Sequence, residues 1–318
     1  MGKASRTKVD SSRRERIAAQ RAAERRAEQR RRILIASGSI IAVVAIVVAF
    51  IVVKANSNTP AATSTASNGP TGAALASVVS DLTSVPASTT DKIGNGGGQV
   101  SATPKAVTNG TPLTANGKPE MLYIGAEYCP FCAAERWAMI QALSRFGTFS
   151  GLSTVHSASV NGAGQAEPYP NTPTFTFHGS SYTSKYLTFT PVETQTNIPD
   201  KSTGGYTNLE TPTKDQQALL TKYDVPPYVP SGSEGAIPFI YFGGKYIVAG
   251  ASYNPQVLSG LSWSKIASEV KNNPTSDVAK AIGGTANYIT AAICKMTGNQ
   301  PASACTSTIQ SLESSLKS

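Results

Sequence analysis

Residues 120–147, EMLYIGAEYCPFCAAERWAMIQALSRFG, decide the fold that the sequence predicts. Met121 to Ala126 is an apolar run of strand length, and a helical pattern follows it. Between them stands Cys-Pro-Phe-Cys, so Cys129 is expected at the start of the helix and Cys132 one turn further on. Free N–H groups and the helix dipole favour a thiolate at that end of a helix. The stretch therefore predicts a dithiol whose sulfurs can bridge.

The four cysteines and two histidines of the chain leave two other interpretations of this motif. A Cys-x-x-Cys pair can supply half of a zinc site, or it can form an inert structural disulfide. Cys294 and Cys305 have poor spacing for zinc, and neither His156 nor His178 has an evident partner. We therefore expect no metal site, and the structural disulfide remains an alternative to a redox-active one.

Cys294 and Cys305 lie on two consecutive predicted helices and are flanked by Lys, Met, Thr and Ala. We expect them to form a structural disulfide that clamps these helices together. A second redox pair, which relays electrons to Cys129 and Cys132, is the alternative.

The positive charge of the chain is concentrated in its first 32 residues. Residues 1–32 contain twelve Lys and Arg against four acids, which is +8 of the formal net charge of +9. The remainder is close to neutral, so the composition does not predict a nucleic-acid-binding domain.

Ile33 to Val53 carries no charge for 21 residues, which is enough to cross a hydrocarbon core of ~30 Å. It is longer than the apolar core of a cleavable signal peptide. Three arginines, Arg30 to Arg32, precede it, whereas only Lys54 follows. The positive-inside rule then predicts a single-pass cell-membrane protein with residues 1–32 in the cytoplasm and the rest outside. Paired cysteines are useful in that oxidising exterior.

We divide the remaining chain by composition. Residues 54–74 are rich in Ser, Thr, Ala, Asn and Pro and are expected to form a flexible linker. Residues 75–273 are expected to form an α/β domain with a central mixed sheet flanked by helices. Residues 161–212 interrupt it as a polar insertion, which is either a cap that shapes substrate access or a decorative insertion without a functional role. Residues 274–318 form a helical extension.

Strand patterns define the predicted sheet. Val100 to Val107 is expected to be an edge strand, and Gly151 to Val160 the strand after the cysteine helix. Inside the insertion, Thr174 to His178 and Lys185 to Thr190 alternate Thr with larger apolar residues, which indicates a hairpin. The remaining predicted elements are a helix from Thr213 to Tyr223 opened by a capping box, a hairpin of Phe239–Phe242 and Lys245–Ala249 around Gly243-Gly244, a helix from Asn254 to Val270, and two helices over 274–295 and 302–317.

The order of these elements resembles the thioredoxin fold over roughly residues 100–272. The resemblance is specific at the Cys129–Cys132 motif and at Ile237-Pro238, directly before the hairpin. In that superfamily the proline is cis and faces the dithiol across the substrate cleft, so we expect the same here. The whole layout also resembles a family of membrane-anchored thioredoxin-like proteins known as domain of unknown function 929.

The resemblance implies a protein thiol–disulfide oxidoreductase without a dissociable cofactor. Cys129 is expected to be exposed, to have the lower pKa and to attack, whereas Cys132 is shielded and resolves the mixed disulfide. Phe131 is expected at the rim, and Ile237 and Pro238 would position the substrate backbone. Its partners would be protein thiols or disulfides and a membrane redox partner.

Departures from the thioredoxin pattern leave the redox direction open. Tyr128 stands where thioredoxins usually have Trp, and Tyr123 occupies the place of their buried Asp. Glu127 is the nearest acid and a candidate for proton transfer, or it is an exposed carboxylate at a strand end. Phe131 replaces the histidine of strongly oxidising relatives. An oxidant, an isomerase and a reductase for cytochrome maturation stay open, as does a non-catalytic scaffold whose Cys129–Cys132 bond is permanent.

Overall fold

The computed structural model describes residues 69–316. This part contains seven α-helices and twelve β-strands. In chain order they are α1 (Gly72–Thr83), α2 (Ala87–Ile93), β1 (Lys105–Ala106), β2 (Thr114–Ala115), β3 (Lys118–Gly125), α3 (Pro130–Leu143), β4 (Gly147–Ser150), β5 (Ser153–His156), β6 (Pro173–Thr176), β7 (Ser181–Ser184), β8 (Thr188–Glu193), β9 (Gln195–Pro199), β10 (Tyr206–Asn208), α4 (Lys214–Tyr223), β11 (Phe239–Phe242), β12 (Tyr246–Ala249), α5 (Trp263–Asn272), α6 (Asp277–Thr297) and α7 (Ser307–Ser315).

A mixed sheet forms the centre, as predicted. Its strand order is β1-β12-β11-β3, with β8 beside β3 and the short β2 pairing with the start of β3. β11 runs antiparallel to β3, whereas β8 runs parallel to it. Alternate residues of β3 enter different clusters. Met121 and Tyr123 pack with α3, α5 and α6, while Leu122 and Ile124 pack with α4. Because both faces are covered, β3 reads as a continuous apolar run.

The strand predicted after the cysteine helix does not join the central sheet, in which β8 is the strand parallel to β3. Only Ser153–His156 of the predicted strand is extended, and it pairs with β6 in a separate two-stranded sheet. The parallel partner is β8, which lies inside residues 161–212, and the hairpin predicted there is wrong. β8 is half-buried and alternates Thr with apolar residues, because it lies at the sheet edge. That pattern is the same for an edge strand and for a surface hairpin, so it does not identify the partner.

Two turns also differ from the prediction. Phe242 pairs with Tyr246, so the loop of the β11–β12 hairpin has three residues rather than two. Gly243 and Gly244 both have positive φ, which the turn requires. The predicted helix from Asn254 to Val270 is two elements, a 3₁₀ turn over Pro255–Leu258 and α5. Separate side-chain caps explain the division, because Asn254 caps the 3₁₀ turn and Ser262 caps α5.

Other elements are confirmed. β1 is a short form of the predicted edge strand, and it pairs with β12. Thr213 and Gln216 form the predicted capping box of α4. α6 and α7 are the two C-terminal helices, and Cys294 forms a disulfide with Cys305, with the Cα atoms 5.8 Å apart. Cys305 lies just before α7 rather than within it, so the bond ties the start of α7 to α6.

The N-terminal predictions fall largely outside the described residues. This holds for the basic tail, for Ile33–Val53 and for residues 54–68. α1 begins at Gly72, so the last three residues of the predicted linker are helical. Within residues 69–316, no helix is both long enough and apolar enough to cross a membrane.

Candidate active site

The dithiol stands at the N-terminus of α3. Cys129 is the N-cap residue, and its sulfur accepts a hydrogen bond from the backbone N–H of Cys132 at 3.2 Å. Pro130 follows as the first helical residue, where its missing N–H leaves no bond unmade. Both cysteines are thiols. The local sequence thus places Cys129 where the unpaired N–H groups of the helix point at its sulfur.

The β3–β11 pairing brings Ile237 and Pro238 to the dithiol. Phe239 pairs with Ile124, so the residues before β11 lie opposite the loop that follows β3. The Cys129 sulfur lies 3.7 Å from the carbonyl oxygen of Ile237. The Ile237-Pro238 peptide bond is cis. The structure therefore brings together the two motifs that the sequence placed in one cleft.

The surface around the dithiol is less open than the sequence suggested. Cys129 is only 4% exposed and Cys132 is fully buried, so the expected exposure of Cys129 is wrong. Two backbone elements close over the sulfur, the Ile237 carbonyl and the first turn of α3. Phe131 does lie at the rim: it is 36% exposed and meets Tyr169 edge to face at 5.8 Å.

A groove of about 530 Å³ runs beside the cysteines. Phe131 and Tyr169 line it on one side, and Ile237 lines it close to Cys129. Its remaining wall comes from residues 249–255, directly after β12, and from residues near Pro230. The groove therefore lies next to Ile237, whose carbonyl oxygen is near the Cys129 sulfur.

The two thiols differ in acidity. Burial raises the pKa of Cys129, but hydrogen bonds from the thiol and backbone N–H of Cys132 and the charge of Arg136 lower it by more. Burial and the neighbouring Cys129 sulfur raise the pKa of Cys132. Cys129 is therefore the more acidic thiol of the pair.

Part of the predicted insertion covers the site. Tyr128 stacks on Tyr206 of β10 with ring centroids 4.1 Å apart. The Tyr206 hydroxyl donates to Glu167 at 2.5 Å, and the backbone N–H of Ala158 donates to the Tyr128 carbonyl at 2.9 Å. The stack with Tyr206 joins the predicted insertion to the residue directly before Cys129, and a role of the insertion in shaping substrate access stays a prediction.

Glu127, the candidate for proton transfer, and Tyr123, which stands where thioredoxins have a buried Asp, are both buried. Glu127 has no exposed surface, so the exposed carboxylate that the sequence left open is wrong, while its role in proton transfer stays a prediction. Tyr123 is also fully buried and packs edge to face on Phe177 at 5.3 Å. Burial raises the pKa of Tyr123 well above its ordinary value, so it does not supply the carboxylate that thioredoxins have there.

An ion pair that was not predicted from the sequence lies beneath the dithiol. Arg136 of α3 and Glu193 of β8 are both fully buried and make two hydrogen bonds of 2.8 Å. The available signal was an arginine one turn after Cys132 in a largely apolar helix. Its partner lies 57 residues away and could not be identified without the correct parallel strand.

A family model matches residues 105–295, which is more than half of the chain, and it is described as a Domain of unknown function (DUF929). The chain belongs to the DUF929 family. The match includes Cys129, Cys132 and Pro238. No curated protein and no solved structure matches the chain.

The two histidines of this DUF929 member contact residues other than the dithiol cysteines. His156 meets Trp263 edge to face at 4.6 Å, and His178 bonds Glu210 at 2.6 Å. Within residues 69–316, no three His, Cys, Asp or Glu side chains are grouped so that they could hold a metal ion.

A buried carboxylate ties α3 to the groove wall of this DUF929 member. Glu135 accepts hydrogen bonds from the backbone N–H of Ser252 at 2.9 Å and from its hydroxyl at 3.0 Å. Burial raises the pKa of Glu135 to about 7, although the Ser252 bonds oppose the shift. Ser252 lies between Ala251 and Tyr253, which line the groove.

Replacement of Glu135 by glutamine is expected to remove part of the pH dependence of stability. The folded pKa of about 7 is above the ordinary 4.5, so the stability contributed by the bound proton is lost as pH rises towards 7. Between pH 5 and pH 8, the free energy of unfolding of the wild type should fall by about 2 kcal/mol relative to Glu135→Gln. Urea denaturation of both proteins at several pH values measures this. Parallel pH profiles would contradict it.

Proposed function

We propose that the chain is a protein thiol–disulfide oxidoreductase with a thioredoxin-like fold, anchored in the cell membrane and active outside the cytoplasm. One observation carries the proposal. The Cys129 sulfur caps the N-terminus of α3 and faces the Ile237 carbonyl at 3.7 Å, next to cis Pro238. A nucleophilic thiolate and a backbone acceptor for an extended peptide thus share one cleft.

The thioredoxin-like assignment is supported by the order and direction of the strands. A strand that leads into the dithiol helix and an antiparallel hairpin preceded by cis Pro238 follow the arrangement expected from the sequence, while the parallel neighbour of β3 is β8, from the predicted insertion. The additional short sheets and the helices α6 and α7 lie outside that arrangement.

The proposed reaction is a two-step disulfide exchange. In the reducing direction, the Cys129 thiolate attacks one sulfur of a substrate disulfide, forms a mixed disulfide and releases the other substrate sulfur as a thiolate. Cys132 then loses its proton and attacks Cys129, which closes the Cys129–Cys132 disulfide and releases the second substrate sulfur. Two electrons pass to the substrate, and a partner dithiol must reduce the enzyme again. The oxidising direction is the reverse, and the partner is then a disulfide.

The residues around the cysteines have separate roles in this reaction. Phe131 and Tyr169 offer apolar surface to the substrate side chain next to its sulfur. Ile237 and Pro238 hold the substrate backbone. Glu127 is the proposed proton-transfer group for Cys132. The sulfurs carry the electrons, so the reaction needs no dissociable cofactor.

Insulin reduction tests the proposed activity. The full-length chain in detergent micelles, with dithiothreitol as the electron source, should accelerate precipitation of the insulin B chain. Cys129→Ser should lose the acceleration. The matched control is Cys294→Ser/Cys305→Ser, which removes the other disulfide and should retain it if that bond is structural.

The burial of Cys129 favours a second candidate, a binding module whose dithiol forms a permanent bond. A sulfur that is 4% exposed meets a folded protein substrate only if the groove admits an extended segment. The absence of activity in the wild type, together with a Cys129–Cys132 bond that resists reductant, would support this candidate.

The membrane anchor is proposed from Ile33–Val53 and the arginines before it. Protease added to spheroplasts is expected to digest residues 75–318. Protection of that region, while a known external protein is cut, would show that the orientation is wrong.

A further inference from the structure

The Arg136–Glu193 pair is an unusual feature of the core beneath the dithiol. Both side chains have no exposed surface, and the guanidinium makes a bidentate contact with the carboxylate. Taking two charges out of water costs several kcal/mol per ion, and an apolar pair of similar volume is often as stable. A buried pair is therefore weak evidence for stability alone, and its position suggests another role.

Arg136 lies directly under the loop that carries Cys129. It follows Cys132 by one helical turn, so the two side chains share a face of α3. Its Nη2 donates to the Ala126 carbonyl oxygen at 2.6 Å. The same oxygen accepts the backbone N–H of Cys129 at 3.3 Å. Arg136 thus fixes the turn from β3 into the dithiol.

One nitrogen of the Arg136 guanidinium makes no hydrogen bond with the Glu193 carboxylate. Nε and Nη2 bond Glu193, whereas Nη1 has no hydrogen-bond partner within residues 69–316. In a buried environment the field of such a charge is screened little. A negative charge that appears on a nearby sulfur would be attracted to it.

We propose that Arg136 is the positioning residue that stabilises the thiolate of Cys129, and that Glu193 moderates this effect by partly neutralising the guanidinium. This proposal deepens the proposed function and rests on it, because it concerns how readily the Cys129–Cys132 disulfide is transferred to a substrate dithiol.

The other groups near Cys129 do not supply positive charge. The titratable side chains that face it are Cys132 on α3, Tyr123 on β3, Tyr128 before the helix and Tyr206 on β10 with its bound Glu167, while Glu127 is buried two residues before it. Burial, the largest cause, raises the pKa of each of the three tyrosines, so they remain neutral. Within residues 69–316, Arg136 is the cation among the main causes that lower the pKa of Cys129.

The consequence concerns redox direction. When the enzyme disulfide oxidises a substrate dithiol, a substrate thiolate attacks Cys129 and expels Cys132, and a second substrate thiolate then expels Cys129 as the leaving group. A stabilised Cys129 thiolate leaves faster and favours the reduced enzyme. Arg136 therefore shifts the equilibrium towards oxidation of substrate dithiols, with a protein or small-molecule disulfide as the co-reactant that restores the enzyme.

Substitutions of the two partners should act in opposite directions. Glu193→Gln leaves the guanidinium uncompensated, so the Cys129 thiolate should persist to lower pH. Arg136→Gln should raise the midpoint of the thiolate titration by about one pH unit. It should also change the equilibrium constant with glutathione about tenfold in favour of the enzyme disulfide, which lowers the reduction potential of the dithiol by about 30 mV. Arg136→Lys keeps the charge and should restore most of the thiolate.

The measurements are thiolate absorbance at 240 nm against pH and equilibration with glutathione, both on the full-length chain. Because Arg136→Gln alone could fail to fold, Arg136→Gln/Glu193→Gln provides a neutral pair and should also raise the midpoint. The matched control is Lys271→Gln/Asp81→Asn, which removes a half-exposed ion pair between α5 and α1 and should shift neither quantity.

The proposal is supported if Arg136→Gln and Glu193→Gln shift the midpoint of the thiolate titration in opposite directions. If Arg136→Gln does not fold, a raised midpoint in Arg136→Gln/Glu193→Gln supports it instead. Shifts in the same direction, or none, overturn it, because a merely structural pair would affect both variants alike. Failure of the proposed function has a different signature: the wild-type dithiol then does not exchange with glutathione at all.

Discussion

Replacement of Cys132 by serine is expected to leave substrate proteins attached to Cys129 through a disulfide. Cys129 has the lowered pKa, and its sulfur lies 3.7 Å from the carbonyl oxygen of Ile237, which lines the groove, so Cys129 is expected to make the first bond. Cys132 is fully buried behind it and has a raised pKa, so its task is to break that bond from within. Without Cys132 the second step has no nucleophile, and adducts that are transient in the wild type should accumulate.

The adducts are detected by acid quenching followed by electrophoresis without reductant. Bands of higher mass should appear in Cys132→Ser, collapse with reductant and be absent from Cys129→Ser/Cys132→Ser. Adducts in Cys129→Ser but not in Cys132→Ser would mean that the two roles are reversed. Their absence from both single variants would favour the scaffold.

Replacement of Trp137 by alanine is expected to have the largest effect on stability. Trp137 is fully buried, its indole N–H donates to the Pro173 carbonyl at 2.8 Å, and its ring meets Phe175 edge to face at 4.8 Å. The change leaves a cavity and an unpaired carbonyl where α3 packs on β6, which should cost about 3–5 kcal/mol. For a domain of this size the melting temperature should fall by roughly 10 °C.

Thermal denaturation followed by circular dichroism measures this loss. Val160→Ala is the matched control, because Val160 is 39% exposed and its truncation should change stability by less than about 0.5 kcal/mol. A loss of under about 1 kcal/mol for Trp137→Ala would contradict the packing of α3 described here.

Local rules predicted the part of the fold that carries the cysteines. The apolar run of β3, the proline after Cys129 and the glycines of the β11–β12 hairpin each restrict their own few residues, so their structure could be inferred without knowing the rest. The capping box at Thr213 worked for the same reason. The disulfide between Cys294 and Cys305 followed from the position of two cysteines close together on consecutive helices.

Long-range pairing could not be predicted in this way. β8 carries the alternation of a half-buried strand, and nothing in Thr188–Glu193 distinguishes β3 from β6, the partner predicted from the sequence, as its neighbour. The error had a direct consequence for the site. Glu193 ends β8, so the counter-ion of Arg136 became visible only when β8 was placed beside β3.

Burial at the site was equally inaccessible from the sequence. Position at a helix start predicted an exposed Cys129, but the carbonyl of Ile237 and the first turn of α3 cover its sulfur. Glu127 follows a strand and could have been exposed, yet it is enclosed. Both outcomes depend on elements that approach from distant parts of the chain.

Equilibration with glutathione tests the central claim most directly. The full-length chain is incubated in buffers that range from reduced to oxidised glutathione, quenched with acid and analysed by peptide mass. The Cys129–Cys132 bond should open and close reversibly in one two-electron transition, while Cys294–Cys305 stays closed throughout. A Cys129–Cys132 bond that stays closed in every buffer, or never forms, would contradict the proposed exchange activity.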